Sequence, residues 1–156
     1  MAYIYPAPGV ANVEATLTIT DSTGTLTGNI AVPALRDITV NNSNDVFTWT
    51  QLDSGSKQQV ATTATNSLAM NLVLDKDTFF GSGISGTVAY EGIFGLSKKK
   101  TKVGFSLYMG DTDSGGTGPT LTGVGYITGL APTVSADSPV WVSPVTITVS
   151  GDYTKS

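Results

Sequence analysis

The acidic residues that follow position 110 are the first candidates for chemistry in this sequence. Asp111 and Asp113 stand two residues apart in the segment DTDSGG, which is how a calcium-binding loop begins. An EF-hand loop also needs a bidentate glutamate at its twelfth position and a helix on each side. Here the twelfth position is Thr122 and the flanking residues have strand-like patterns. A glycine-rich hairpin loop is therefore favoured, with a calcium loop as the alternative.

The other carboxylates do not form a recognisable catalytic pair. Asp75 and Asp77 lie at the start of a possible helical turn, where the helix dipole favours acidic side chains. Glu14 and Glu91 are the only glutamates, and nothing in the sequence brings them together. The 156 residues include no histidine and no cysteine, which excludes a Ser–His pair and cysteine-ligated metals. We predict that the protein is not an enzyme and has no catalytic, cofactor-binding or metal-binding residues.

Half of the basic residues are concentrated in one short segment. Four of the eight lie in KKKTK at 98–102, close after Ile93 and Phe94. This run is either a solvated hairpin tip or a contact with an acidic surface on another subunit. In the second case the candidate contact residues are Ile93, Phe94, Lys98, Lys99 and Lys100.

The remaining candidate contacts are aromatic or apolar. Residues 1–13 contain Pro6 and Pro8 and are predicted to form an extended arm, in which Tyr3, Ile4 and Tyr5 are candidate docking residues. Tryptophan is common both in cores and at interfaces. Trp49 lies on a predicted strand and is assigned to the core. Trp141 is left open between core and interface, and it is also a candidate contact.

Two-residue alternation of apolar and small polar residues dominates the chain from residue 15 onward, as in half-buried strands. A helical turn or a simple turn is predicted at 75–80, and the strand that starts at residue 38 is predicted to break at 41–44. Eight or nine short strands with at most one or two short helices indicate an all-β, antiparallel sandwich or barrel. The predicted strands include residues 15–20, 26–32, 38–40, 46–50, 68–74, 87–91, 103–109, 124–128 and 145–150.

The composition favours self-assembly. Charged residues make up only 13% of the chain, about half the usual share of a soluble domain. Exposed strand edges are normally guarded by Lys and Glu, whereas the polar strand face here carries Thr, Ser, Gly and Asn. A net charge of −4 argues against a protein that binds nucleic acid tightly. The chain has neither a signal-peptide pattern nor an apolar run of membrane-spanning length, so no membrane insertion is expected.

The closing segment resembles a known family. Residues 121–153 contain GVGYIT, a connection rich in small residues and proline, and VTITVSG. These features are similar to the last strands of the major tail tube proteins of long-tailed bacteriophages. The middle segments FTWTQLDSGSKQQV and KVGFSLYMG are also similar. The resemblance covers residues 14–154.

The resemblance implies a structural protein of the virion tail, assembled in the host cytoplasm. Its fold would be a β-sandwich that contributes strands to a shared inner β-barrel, with residues 14–156 as one tube domain and 1–13 as an arm. Six copies would form a homo-hexameric ring, and rings would stack around a tape-measure protein, with tail terminator and distal tail proteins at the ends. DNA would pass through the lumen without specific binding. Residues 1–13 and 91–102 would make contacts between rings.

Two readings from other classes compete with the tube subunit. A virion decoration protein, or a β-sandwich module that binds carbohydrate or a receptor, would share the Thr- and Gly-rich strands. Such a glycan binder would be expected to carry an exposed aromatic platform or a calcium loop. A carboxylate-based hydrolase is disfavoured because no acid pair is apparent.

Overall fold

The computed structural model describes residues 4, 6–8, 14–32, 35–53, 55–111 and 118–156. The described residues are mostly β, as predicted, with two short helices, of which the first is a single π-helical turn. The elements in chain order are β1 (Thr16–Asp21), β2 (Asn29–Ala31), β3 (Leu35–Trp49), β4 (Gln58–Val73), α1 (Lys76–Phe80), α2 (Val88–Lys98), β5 (Val103–Tyr108), β6 (Thr120–Leu130), β7 (Thr133–Ser135), β8 (Ser138–Val149) and β9 (Thr154–Lys155).

All nine strands belong to one antiparallel sheet. The strand order is β2-β1-β5-β6-β8-β4-β3, with β7 paired to β8 and β9 paired to β6. Strands from both halves of this order supply side chains to a single apolar cluster, and α2 packs into the same cluster. The sheet therefore folds around one core, and β3 and β2 are its two edges.

The closing segment has the orientation that the sequence predicts. Val145, Ile147 and Val149 on β8 are buried, whereas Thr148 is exposed and Thr146 is half-buried. Strand β8 pairs with β6 on one side and β4 on the other, so it is a central strand. The two-residue period thus places the apolar side chains of β8 in the core and its hydroxyls on the outer face.

Three local predictions are wrong. Residues 87–91 belong to the N-cap and first turn of α2, because the Thr87 hydroxyl accepts a hydrogen bond from the Tyr90 amide at 3.2 Å. Strand β3 does not break at 41–44, since β4 pairs with it through the asparagines. Trp49 is 36% exposed and lies outside the core.

Two glycines allow helices α1 and α2 to pack closely against each other. Asp75 caps α1 by accepting a hydrogen bond from the Asp77 amide at 2.9 Å, as predicted for a helical start at this position. Helix α2 is interrupted at Gly92, whose φ of 68° and ψ of 173° are open to glycine alone. A Cβ atom on Gly92 would lie 2.5 Å from the Gly81 nitrogen, so the two segments touch backbone to backbone. Neither helix of the described residues is long and apolar enough to span a membrane.

The turn between β1 and β2 is organised by Asp21. Its carboxylate accepts hydrogen bonds from the Thr23 hydroxyl at 2.6 Å, the Thr23 amide at 2.8 Å and the Leu26 amide at 2.8 Å. The Thr23 hydroxyl, followed by these amides, holds the pKa of Asp21 below its ordinary value. The charged form therefore stabilises the fold above the ordinary aspartate pKa, and this stabilisation is lost as the pH falls through the lowered pKa.

We predict that Asp21→Ala lowers the free energy of unfolding at pH 7 by about 1–2 kcal/mol, because three donors lose their acceptor. Urea titrations at pH 7 and at the lowest pH where both proteins still fold would measure this. The difference should shrink at low pH, where the wild-type carboxylate is protonated as well. An equal difference in unfolding free energy at both pH values would contradict a stabilising role for the charged Asp21 carboxylate.

Candidate assembly surfaces

The largest candidate surface is a β-hairpin that extends beyond the core. The part of β3 from residue 41 to Trp49 is exposed at every position, and so is β4 from residue 59 to 65. At about 3.3 Å per residue, these nine residues of β3 span about 30 Å. A two-stranded ribbon uncovered on both faces is marginally stable by itself. This hairpin, residues 41–65, therefore has the character of a segment that another molecule covers.

One face of the hairpin is apolar. The rings of Phe47 and Trp49 are stacked with centroids 5.9 Å apart, and Phe47 is directly paired with Val60 on the other strand. Phe47 is 59% exposed. The charged residue within the hairpin strands is Asp45, which accepts a hydrogen bond from the Thr63 hydroxyl at 2.9 Å. No lysine of these strands guards the edge of β3 against pairing with another chain.

The base of the hairpin is held by the residues that follow β8. Asn66 is buried, and its side-chain amide donates to the Gly151 carbonyl at 2.8 Å while its oxygen accepts from Asn42. The Tyr153 hydroxyl lies 2.8 Å from the Asn41 carbonyl oxygen and 2.9 Å from that of Ser67, and can donate to either. Burial raises the pKa of Tyr153, so the hydroxyl stays protonated as a donor. The side chains of Asn66 and Tyr153 thus fix the direction in which the hairpin leaves the core.

We predict that Tyr153→Phe loosens the hairpin without unfolding the domain. The cost should be about 1 kcal/mol, because one net hydrogen bond is lost while the contact between the ring and Phe105 remains. Hydrogen exchange followed by mass spectrometry should show faster exchange in peptides covering 41–67. Unchanged protection there, together with unchanged stability, would show that Tyr153 does not hold the hairpin base.

A second apolar surface lies around Trp141, at the opposite end of β4. Trp141 is 52% exposed and is therefore not a core residue. It lines an open groove with Val140, Phe80 and four further residues, which are Leu74, Lys76, Pro132 and Pro139. The ring of Phe80 also lies 5.6 Å from that of Phe94, which is partly exposed. Trp141 and Phe94, both predicted contacts, thus lie at connected apolar surfaces.

The other predicted contact residues are scattered. Ile93 is 1% exposed in the core of its own chain, because α2 turns it inward, and this removes it from the candidates. Lys98, Lys99 and Lys100 are exposed at the end of α2, where Lys99 pairs with Glu91 at 2.7 Å. They follow a helix, so they are not a hairpin tip. Ile4 is exposed, and Tyr3 and Tyr5 lie outside the described residues.

The sheet itself carries almost no charge. The formal charges within the nine strands are Asp21, Arg36, Asp37, Asp45 and Lys155. On the outer face of β6 and β8, Thr128 and Thr148 are neighbours with hydroxyl oxygens 2.8 Å apart. Thr148 in turn pairs with Ser67 on β4. A continuous hydroxyl-bearing surface therefore crosses the central strands opposite the core.

The described residues contain no cluster of three or more acidic side chains that could hold a metal ion. Residues 112–117 of the Asp111 loop, including Asp113, lie outside the described part of the chain, so the calcium alternative rests on the sequence alone. Asp111 itself is buried, three residues after the end of β5.

The fold has close counterparts among solved structures of tail-like particles. A chain in the tail of an empty gene transfer agent particle, refined with C6 symmetry, matches with a TM-score of 0.65, 14% identity, and coverage of 90% of this chain and 95% of the other. The SPP1 tail tube matches at 0.63 and 11%, covering 95% and 78%. The chain has the tail-tube fold.

A chain from a baseplate structure is also similar. A chain of the anti-feeding prophage baseplate, symmetrised six-fold, matches this chain with a TM-score of 0.60, 9% identity and 97% coverage of both chains. No protein-family model and no curated protein matches the sequence. The likeness to these structures therefore lies in the fold.

The sequence did not reveal the hairpin 41–65 as a surface. The sequence predicts a break at 41–44, a separate short strand at 46–50 and a core position for Trp49. The sequence does contain one signal, which is the scarcity of large apolar residues in this stretch. Between Asn41 and Thr65 they are Val46, Phe47, Trp49, Leu52 and Val60. A stretch with so few apolar residues cannot be buried on one face over its full length.

Proposed function

We propose that this chain is the building block of a tail tube, a non-enzymatic structural protein that assembles as stacked hexameric rings. The observation that carries the proposal is the hairpin 41–65, which extends from the core with exposed aromatic side chains and an unguarded edge. The tail-tube fold supports it, as does the six-fold symmetry of two of the matching particles. Edge strands of neighbouring copies would continue one another as a shared inner β-barrel.

The rest of the proposal concerns partners and location. The tube would belong to the tail of a virion or a tail-like particle, assembled in the cytoplasm of the host. A tape-measure protein would fill the lumen, with terminator and distal tail proteins at the ends. Residues 1–13, and the exposed Phe94 with Lys98–Lys100, would add contacts between copies, while residues 14–156 form the tube domain.

Assembly of the purified chain tests this function. Sedimentation velocity over increasing protein concentration, with negative-stain electron microscopy of the same samples, should reveal rings or tubes of uniform diameter. A monomer that stays monomeric at every concentration and shows no rings would overturn the proposal. It would favour the alternative of a decoration or receptor-binding module.

The hydroxyl-bearing outer face of β6 and β8 suggests how DNA would pass. A lumen lined by hydroxyls offers no cation that could trap phosphates, and the acidic chain repels them. We predict that Thr128→Lys with Thr148→Lys yields tubes that retain DNA at low salt, whereas wild-type tubes do not. Co-sedimentation of tubes with linear DNA in rising salt measures the difference. Equal DNA release from both tubes would show that this face does not line the lumen.

A further inference from the structure

A basic cleft lies where the end of α2 meets the turn between β1 and β2. Its volume is about 370 Å³. Its walls carry three ammonium groups, those of Lys99, Lys100 and Lys102, and one carboxylate, that of Glu91. Three positive charges against one negative charge leave the cleft with a formal charge of +2. In a chain with a net charge of −4, this concentration of positive charge attracts an anionic ligand.

Two of the three lysines lack a counter-charge of their own. Lys99 pairs with Glu91, whose carboxylate oxygen lies 2.7 Å from the Lys99 Nζ atom. Within the described part of the chain, Lys100 and Lys102 form no ion pair. Lys102 is also half-buried, and opposite charges attract more strongly in such a place than in bulk water. A carboxylate or phosphate from another molecule would supply the missing counter-charge.

The backbone holds these lysines in place at a cost in stability. Lys100 has a φ of 57°, the left-handed conformation that glycine usually adopts after a helix. Its amide donates a hydrogen bond to the Ser97 carbonyl at 3.1 Å, which closes the end of α2. The Lys102 carbonyl accepts hydrogen bonds from the Ser22 amide at 3.1 Å and the Ser22 hydroxyl at 2.8 Å. A lysine at a position that favours glycine is a local conflict of the kind found at functional sites.

The cleft suits the carboxylates of an acidic peptide better than the phosphates of DNA. Glu91 shows that a carboxylate fits against Lys99, since its side chain is only 12% exposed there. The described lining contains no arginine, the residue that binds phosphate with two parallel hydrogen bonds. Leu26 and the ring of Tyr126 offer apolar surface to the methylene groups of a glutamate side chain. A DNA duplex is too wide to enter the recess, and the acidic chain repels it.

The cleft opens at the margin of the hydroxyl-bearing face of β6 and β8. Tyr126 is exposed and pairs directly with Thr148, so both side chains stand on this face. We propose that the cleft of Lys99, Lys100 and Lys102 binds the carboxylates of an acidic segment of a different protein that lies inside the tube. The inference rests on the proposed tube function for this location, whereas the binding of an acidic peptide is a property of the single chain. Lys98 and Phe94, which lie outside the cleft, are left for contacts between copies.

Fluorescence anisotropy of a labelled hexaglutamate peptide, titrated with the unassembled full chain, tests the cleft. Lys100→Gln combined with Lys102→Gln should weaken binding by about tenfold or more. Lys76→Gln combined with Lys155→Gln is the matched control, because it removes the same charge from two exposed lysines outside the cleft. Equal losses in both double variants would show that the peptide responds to net charge alone. A labelled thymidine hexamer that binds as tightly as the peptide would show a phosphate site, and either result would overturn the proposal.

Lys100→Gly separates binding from stability. Glycine relieves the left-handed backbone, so the Tm should rise by about 2–4 °C while the peptide binds more weakly. Lys100→Gln loses the same charge and should weaken binding equally without the rise in Tm. Unchanged peptide affinity in both variants would overturn the role of Lys100 in the cleft.

Co-sedimentation of the same peptide with assembled tubes tests the location. Wild-type tubes should carry the peptide into the pellet, whereas tubes of the Lys100→Gln, Lys102→Gln variant should not. Tubes that no longer bind the peptide bound by the single chain would show that another copy fills the cleft, which would overturn the proposed partner. A chain that binds the peptide but never assembles would overturn the tube function and leave the chemistry of the cleft standing.

Discussion

Replacing Phe47 and Trp49 together by threonine should abolish tube formation while the domain stays folded. Both side chains are exposed in the single chain, so their removal leaves no cavity in the core. Threonine keeps a high strand propensity in β3. Buried interface aromatics commonly contribute about 2 kcal/mol or more each. Losing two of them should raise the critical concentration for assembly by about a hundredfold or more.

Sedimentation and electron microscopy measure assembly, and circular dichroism with urea titration measures the fold. The unfolding free energy should change by no more than about 1 kcal/mol, mostly from the lost ring stacking. Val46→Thr is the matched control, because Val46 is also about half exposed but lies on the opposite face of the hairpin. Normal tubes from the double variant would contradict the role of this face.

The largest effect on stability is expected from Gly92→Ala. The backbone conformation of Gly92 is accessible to glycine alone. Any other residue held in it lowers the stability of the fold by about 1–3 kcal/mol. The added Cβ would also stand 2.7 Å from the Phe79 carbonyl oxygen and 2.5 Å from the Gly81 nitrogen. Because backbone atoms cannot yield as a flexible side chain does, α1 and α2 must separate. We expect a loss of at least about 3 kcal/mol, a large part of the stability of a single domain.

Thermal unfolding should show this as a fall in Tm of about 10 °C. Gly95→Ala in the same helix is the control, because its Cβ would meet mainly the end of the Glu91 side chain, at 3.2 Å. That variant should keep the wild-type Tm to within a few degrees. Similar values for both variants would mean that the close backbone approach at Gly92 is not needed. A displaced α1 would also move Phe80, so the tubes formed by Gly92→Ala should be fewer.

The sequence predicted the part of the fold that one chain determines alone. Ile147 and its neighbours on β8 alternate strictly, and burial within the same chain enforces that pattern. Helix α2 was missed because Thr87 to Glu91 is too short to separate helical from strand periodicity, and its start depends on a cap. Trp49 was misplaced for a different reason. An interface between copies selects the same aromatic residue types as a core does, and only the structure separates the two.

The candidate contacts illustrate the same limit. Residue type singles out Trp141 and Phe94, which are exposed, and equally Ile93, which is buried. The groove around Trp141 brings together residues from β4, α1 and β8 that are far apart in sequence. Such a site depends on the order of strands in the sheet, and no local pattern encodes that order.

A helical cryo-EM reconstruction of the assembled chain is the most direct test of the central claim. The account predicts six copies in each ring, with the hydroxyl face of β6 and β8 towards the lumen. It also predicts that the hairpin 41–65 of each copy is covered by a neighbouring copy. A reconstruction in which these hairpins point into solvent, or particles without a stacked ring at all, would contradict it.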